Sequence, residues 1–117
     1  MREEKQPAVY MLASGPRGTL YIGVTSALWN RVATHKDGGV AGFTSKYDVS
    51  SLVWYEHHET MESAIGREKQ IKKWNRDWKI RMIEELNPHW LDLHDSIDLD
   101  RRYADPKLDS RLRGNDE

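Results

Sequence analysis

A chain of 117 residues, 38% hydrophobic and 32% charged, suits one domain that buries about two-thirds of the surface its unfolded form exposes, and leaves little room for a second. It has no cysteine, which excludes structural disulfides, a disulfide-linked partner and a thiolate zinc site; the charged start Met1-Arg2-Glu3-Glu4-Lys5-Gln6 lacks the apolar run of a signal peptide or membrane span, so the cytoplasm is the expected compartment and no membrane partner is expected. The formal net charge of -1 is unevenly spread, with 13 Lys and Arg against 11 Asp and Glu up to Pro88 and 5 against 8 after it.

Residues 1–7 are expected to be flexible. Ala8 to Ala13 and Thr19 to Thr25 are rich in Val, Ile, Leu and Tyr and are joined by Ser14-Gly15-Pro16-Arg17-Gly18, which predicts a β-hairpin. Both runs are apolar on both faces, so helices are expected to cover the sheet. Ser26 is placed to cap a helix reaching about Lys36, with Leu28, Val32 and His35 at helical spacing and Asp37-Gly38-Gly39 as its stop. Gly42 to Asp48 reads as a loop, and Leu52 to Tyr55 as a third strand ending near His58. Thr60 caps a second helix whose apolar stripe is Met61, Ala64, Ile65 and Ile71. Asn75 to Asp77 breaks it. A third helix carrying Trp78, Ile80, Met82, Ile83 and Leu86 stops at Asn87-Pro88, because proline disfavours helical geometry in the residue before it. Trp90 and Leu91 are placed to pack back on the body, and the polar stretch from Tyr103 to Glu117 reads as a mobile tail.

Several residues on this frame carry chemistry. Tyr10 and Tyr21 sit within the two hairpin arms, so the turn can bring their phenols together, and Gly23 beside Tyr21 leaves room for a close neighbour; strand tyrosines are also ordinary β-formers. Arg31 and His35 lie at i and i+4, on the helix face that also carries Leu28 and Val32. They either border that stripe with their heads in water or share a pocket. Glu68 follows the stripe of Met61, Ala64 and Ile71, where an ionised acid calls for a cation or a metal, unless it pairs locally with Lys72. Two phenols, a guanidinium, an imidazole and one acid together suit holding a phosphate, activating a water beside it and neutralising charge as the bond breaks. Between Arg67 and Arg81 seven bases face two acids, a patch that is either a phosphate track or a solvated helix face. Lys46, Lys72, Lys73 and Arg76 are the candidates for nucleic-acid contacts. His57-His58-Glu59 is no metal cluster, since neighbouring strand residues point to opposite faces. His89 and His94 have no ligand partners in the pattern, and Trp54, Trp74, Trp78 and Trp90 are assigned to packing.

Val9-Tyr10-Met11, Leu20-Tyr21-Ile22-Gly23-Val24-Thr25, Gly42-Phe43-Thr44, Tyr47, Arg67-Glu68-Lys69-Gln70-Ile71-Lys72-Lys73-Trp74, Trp78-Lys79 and Asn87-Pro88-His89-Trp90-Leu91-Asp92-Leu93 occur in an order and spacing that resemble the GIY-YIG endonuclease superfamily. Within it the chain is most similar to the small stand-alone predicted endonucleases related to the excision-repair nuclease module. The resemblance covers roughly Ala8 to Leu93 and implies an α+β domain over 8–93, a three-stranded antiparallel sheet flanked by helices in the order β-β-α-β-α-α, with 94–117 as a tail. It implies hydrolysis of a DNA strand, with Tyr10 as general base, Tyr21 supporting the site, Arg31 steadying the scissile phosphate and His35 helping to manage the proton. Glu68 is the implied ligand of one Mg²⁺ or Mn²⁺. Ile80 stands where some members place an asparagine.

Each role has a physical requirement. A phenol with an ordinary pKa near 10 is about one part in a thousand ionised at neutral pH, so Tyr10 needs cationic surroundings to act as a base. One protein carboxylate leaves most positions of a hard ion to water and phosphate oxygens, so metal binding without substrate is expected to be weak. The expected activity is metal-dependent, structure-directed or weakly sequence-specific DNA cleavage, in a setting of repair or recombination. Two alternatives stand beside it: a non-catalytic or partner-dependent nucleic-acid-binding module, and a protein-interaction domain using the basic helix.

Overall fold

Strand β1 (Ala8–Ala13) is buried at every position, as a strand apolar on both faces must be if it is to avoid exposing one of them. The computed structural model describes residues 6–38, 42 and 46–97. In it β1 is the central strand of a three-stranded antiparallel sheet, flanked by β2 (Leu20–Thr25) and β3 (Ser51–His57) in the order β2-β1-β3. The α+β architecture read from the sequence is therefore the observed one, with helices α1 (Leu28–Lys36), α2 (Met61–Lys72) and α3 (Arg76–Leu86) around the sheet.

The two faces of β1 build two cores. Val9, Met11 and Ala13 pack with Ile22, Trp54, Ala64, Ile71, Ile83 and Trp90, beneath α2 and α3. Ala8, Tyr10 and Leu12 pack with Leu28, Val32, Val49, Leu52 and Ile97, beneath α1. Burying each of the larger aliphatic side chains contributes about 1.5–3 kcal/mol, so this two-sided strand is the main anchor of the fold. The register pairs Tyr10 with Gly23 on one side and Tyr55 on the other, with an irregularity between Met11 and Leu12 against β3.

Helix ends follow local chemistry, with one difference from expectation. Thr60 caps α2 by accepting from the Ser63 amide at 3.1 Å, and Asn75 caps α3 by accepting from Trp78 at 2.9 Å. Ser26 does not cap α1. Its N-cap is Ala27, without a side-chain bond, and the Ala27 amide itself donates to Thr25 Oγ1 at the end of β2 at 3.0 Å. Asp37 closes the far end, followed by Gly38 at φ 75°. Gly39 lies outside the described residues, as do Phe43 and Thr44; within the expected loop, Lys46 and Tyr47 form part of a helical turn.

Not every expected apolar contact is made. Ala64 and Ile71 are buried, but Ile65 is 37% exposed, and in α3 Ile83 is buried while Trp78 and Leu86 are 52% and 77% exposed. The stripe of α2 is thus narrower than its sequence suggests. After α3 the buried Asn87 side chain donates to the carbonyls of Val53 (3.1 Å) and Leu91 (2.9 Å) and accepts from the Leu91 amide (2.9 Å). The turn it stitches sends Trp90 into the core and leaves Leu91 62% exposed, so only the first of that pair packs on the body. The core continues past Leu93, since Ile97 is 1% exposed. The expected tail from Tyr103 lies outside the described residues.

Candidate active site

The middle of β1 and the second position of β2 are where the sheet gathers aromatic groups. Tyr10 is 2% exposed, and its ring reaches across the neighbouring strand over Gly23. A Cβ at that glycine would stand 2.6 Å from both Cζ and Oη of Tyr10. The room that Gly23 was expected to leave is thus occupied, by the phenol of the facing strand rather than by anything beside Tyr21. Tyr21, on the same face two residues along β2, places its ring centroid 6.2 Å from that of Tyr10.

α1 closes the third side. His35, in its last turn and 5% exposed, sets Nε2 at 3.1 Å from Tyr10 Oη, with its ring centroid 5.9 Å from Tyr10 and 5.4 Å from Tyr21. Helical spacing makes this possible: Leu28 and Val32 dock α1 on the sheet, and the same face delivers His35 at the next turn. Arg31 lies one turn before His35 and is exposed. Its positive charge is felt by both Tyr10 and His35, so of the two options the sequence left open, His35 takes the pocket and Arg31 its border.

Glu68 lies on α2, its side chain 14% exposed and paired with Lys72 at 2.9 Å. The local i, i+4 pair is formed. Glu68 is nonetheless near enough for its charge to act on the Tyr10 phenol. Of the five expected site residues, Tyr10, Tyr21 and His35 are in direct contact, while Arg31 and, least of the causes, Glu68 reach the Tyr10 phenol through their charges.

The electrostatic balance is specific. Burial is the main reason the Tyr10 pKa is raised well above its ordinary value of 10, with Tyr21 adding to the rise through its charge and a side-chain hydrogen bond; Arg31 opposes it and Glu68 supports it. The His35 pKa is lowered from 6.5, by burial first and then by Arg31. A neutral imidazole thus lies against a protonated phenol at neutral pH. In its Nδ1–H tautomer, Nε2 accepts from the Tyr10 hydroxyl.

A divalent ion fits this donor set in one way only. Among the described residues no group of three or more His, Cys, Asp or Glu could hold a metal, so an ion at Glu68 would rest on a single protein carboxylate. Mg²⁺ tolerates that, since it commonly takes one or two carboxylates and fills its octahedron with water and phosphate oxygens.

The expected nucleic-acid contacts are dispersed. Lys72 and Lys73 are exposed at the end of α2, about one turn past Glu68. Lys46 sits in its separate helical turn, 5.5 Å from the centre of the Tyr47 ring. Arg76 is exposed, but its guanidinium donates to the carbonyls of Arg17 and, at 2.9 Å, Gly18, so part of its bonding is committed to the hairpin turn. His58 bonds Glu56 (2.8 Å) and Ser63 (2.6 Å) and forms no metal cluster. Tyr55 escaped the sequence reading as a neighbour of the site. It faces Tyr10 across β3, and only the strand register, which no short motif encodes, could have revealed it.

A three-stranded antiparallel sheet with a buried tyrosine on its central strand, a second tyrosine beside it, and an Arg/His helix and a glutamate-bearing helix on its flanks defines a GIY-YIG domain. The chain belongs to that family: residues 6–81 match the model of the GIY-YIG catalytic domain. It is 37% identical over 67 residues to UPF0213 protein SH2523 of Staphylococcus haemolyticus, which spans 57% of this chain and 82% of that protein. It is likewise 37% identical over 68 residues to UPF0213 protein SA0446 of Staphylococcus aureus, 58% of this chain and 83% of the relative. No solved structure matches it. Membership points to nuclease activity on DNA and to the use of a divalent metal. No helix among the described residues is long and apolar enough to cross a membrane.

Proposed function

We propose that the protein is a DNA endonuclease that hydrolyses phosphodiester bonds with the help of one Mg²⁺ or Mn²⁺, and that Tyr10, Tyr21, Arg31, His35 and Glu68 form its catalytic site. The observation that carries this reading is the contact of Tyr10 Oη with His35 Nε2 at 3.1 Å, where the charges of Arg31 and Glu68 also act on the phenol. A buried phenol is a poor base by itself, and the neutral imidazole supplies the missing acceptor. As a water attacks phosphorus, Tyr10 Oη takes its proton and passes its own to His35 Nε2, while the P–O bond to the leaving oxygen breaks and that oxygen departs as an alkoxide, which solvent water protonates. Arg31 offers two parallel donors to the phosphate oxygens, a geometry a lysine does not reproduce. Tyr21 packs against both rings and holds the phenol in line. Glu68 would hold the ion, which when bound supplies positive charge against the phosphate oxygens.

Lys46, Lys72 and Lys73 are proposed contacts for the DNA backbone, with Arg76 a lesser one. Recognition of DNA structure or a weak sequence preference, rather than of a long specific site, is part of the same reading. Its place in repair or recombination, and in the cytoplasm, belongs to the same proposal. The test is nicking of single-stranded, duplex and branched DNA in Mg²⁺ or Mn²⁺ and in a chelator. Cleavage that needs the ion and falls at least about 10²-fold in Arg31→Lys supports the reading, whereas DNA binding without any cleavage would leave a non-catalytic binding module.

A further inference from the structure

The catalytic candidates on α1 are only as well placed as α1 itself, and that helix begins without a capping side chain. Besides the docking of Leu28 and Val32 on the sheet, it is held by contacts from outside the matched span 6–81. The segment from Asp92 to Ile97 lies along the α1 side of the sheet as a strap, with Leu93 and Ile97 packed in the core beneath α1. At its start Leu93 donates to the Leu52 carbonyl at 2.7 Å, and Asp92 Oδ1 accepts from the amides of Leu52 (3.2 Å) and His94 (3.1 Å). Those bonds fix the strap to β3. The other oxygen of Asp92 pairs with Lys36, the last residue of α1, whose ammonium also donates to the Ser50 carbonyl at 3.1 Å. In the first turn of α1 the His94 ring stacks on Trp29, centroids 4.6 Å apart and planes 29° from parallel, and its Nε2 lies 3.1 Å from the Trp29 carbonyl oxygen. Ile97 then enters the core shared by Leu28, Val32 and Tyr10. The strap thus grips α1 at both ends, and Arg31 and His35 lie between the grips.

One detail argues that the Trp29 ring is placed by this contact. Its indole N–H is out of reach of solvent and finds no hydrogen-bond partner among the described residues, a cost that a ring free to turn outward would avoid. We propose that Trp29, Lys36, Asp92 and His94 are positioning residues, through which the strap sets Arg31 and His35 against Tyr10. The inference rests on the nuclease reading for its catalytic consequence, and not for its geometry.

The test uses the full chain with His94→Ala, His94→Phe and the milder Asp92→Asn. Two readouts are followed: kinetics of nicking, and the ¹H–¹⁵N signals of the His35 imidazole, which report whether Nε2 is hydrogen-bonded. The strap touches no reacting atom, so folded His94→Ala should lose kcat by about 10- to 100-fold with KM for DNA within about twofold of wild type. Its His35 Nε2 signal should move toward that of a free imidazole, and His94→Phe, which can still stack on Trp29, should recover most of both. Asp92→Asn carries the same expectations if His94→Ala does not fold. An unmoved His35 signal in a folded variant overturns the proposal, as does a moved signal with wild-type kcat. A wild-type protein that cuts nothing refutes the nuclease reading alone, and the His35 signals then still decide whether the strap sets that side chain.

Discussion

Gly23 tolerates the least change of any position near the site. Gly23→Ala puts a methyl 2.6 Å from the Tyr10 phenol, so either the ring leaves its place or the strands part. Overpacking of this kind costs about 1–3 kcal/mol, read as a fall in Tm, and displacement of the ring should lower nicking by at least about 10²-fold. Tyr10→Phe keeps the packing and removes the hydroxyl, leaving the His35 contact unmade. It should cost only about 1 kcal/mol of stability but about 10²- to 10⁴-fold in rate. His35 gives the pH dependence its sign. Its folded pKa is depressed below the unfolded 6.5, so between those values the unfolded chain binds more protons and stability falls as pH drops through 6.5. Thermal melts from pH 8 to pH 4.5 should show that loss in wild type and its absence in His35→Gln. The acidic limb of the rate profile should likewise have its midpoint below 6.5. Residue types and order mark Tyr10, Tyr21, Arg31, His35 and Glu68 as the candidate set, because few reactions need that set in one chain. That Tyr10 fills the space over Gly23, and that Tyr55 faces it, depends on register, which is fixed by pairing across the sheet.

Strands and helix starts were read well where the signal was local. The Val- and Ile-rich runs with a Gly-Pro turn gave the hairpin, and Thr60 and Asn75 cap as their hydrogen bonding requires. Ser26 does not cap because the helix starts one residue later, at an N-cap Ala27 that has no side-chain acceptor. The strap was missed for a different reason. Its apolar residues, Leu93 and Ile97, follow no sustained strand or helix period, and Ile97 lies past the expected end of the domain at Leu93, although the folded chain buries it. Asn87 is the junction on which α3, β3 and the strap meet. Asn87→Ala strands the Val53 and Leu91 carbonyls and the Leu91 amide, and should destabilise the protein by about 2–4 kcal/mol, measurable by urea unfolding. A weaker tie joins the hairpin turn to α3. The hydrogen bonds from Arg17, and then from the Trp90 indole, hold the Glu84 carboxyl down to about 2 from an ordinary 4.5. Its contribution is therefore complete above pH 4.5 and is lost as pH falls toward 2. The Tm difference between wild type and Glu84→Gln should shrink over that range.

The molecule as a whole carries a formal charge of -1, so attraction to DNA has to come from where its bases lie and not from their number. If Lys46, Lys72 and Lys73 neutralise phosphates, replacing Lys72 and Lys73 by alanine should flatten the slope of log K against log salt by about 0.7–0.9 for each phosphate left without its lysine, whatever the DNA sequence. An unchanged slope would move the binding face elsewhere. The central question is whether side chains from two strands and two helices act as one site. Single-turnover cleavage in Mg²⁺ by wild type, Tyr10→Phe, Glu68→Ala and the double variant addresses it most directly, since residues that act as a unit are grossly non-additive. The expected result is a loss of at least about 10²-fold in each single variant, with the double variant no slower than the slower single. Single variants that cut at the wild-type rate, or losses that multiply in the double variant, would contradict a shared site.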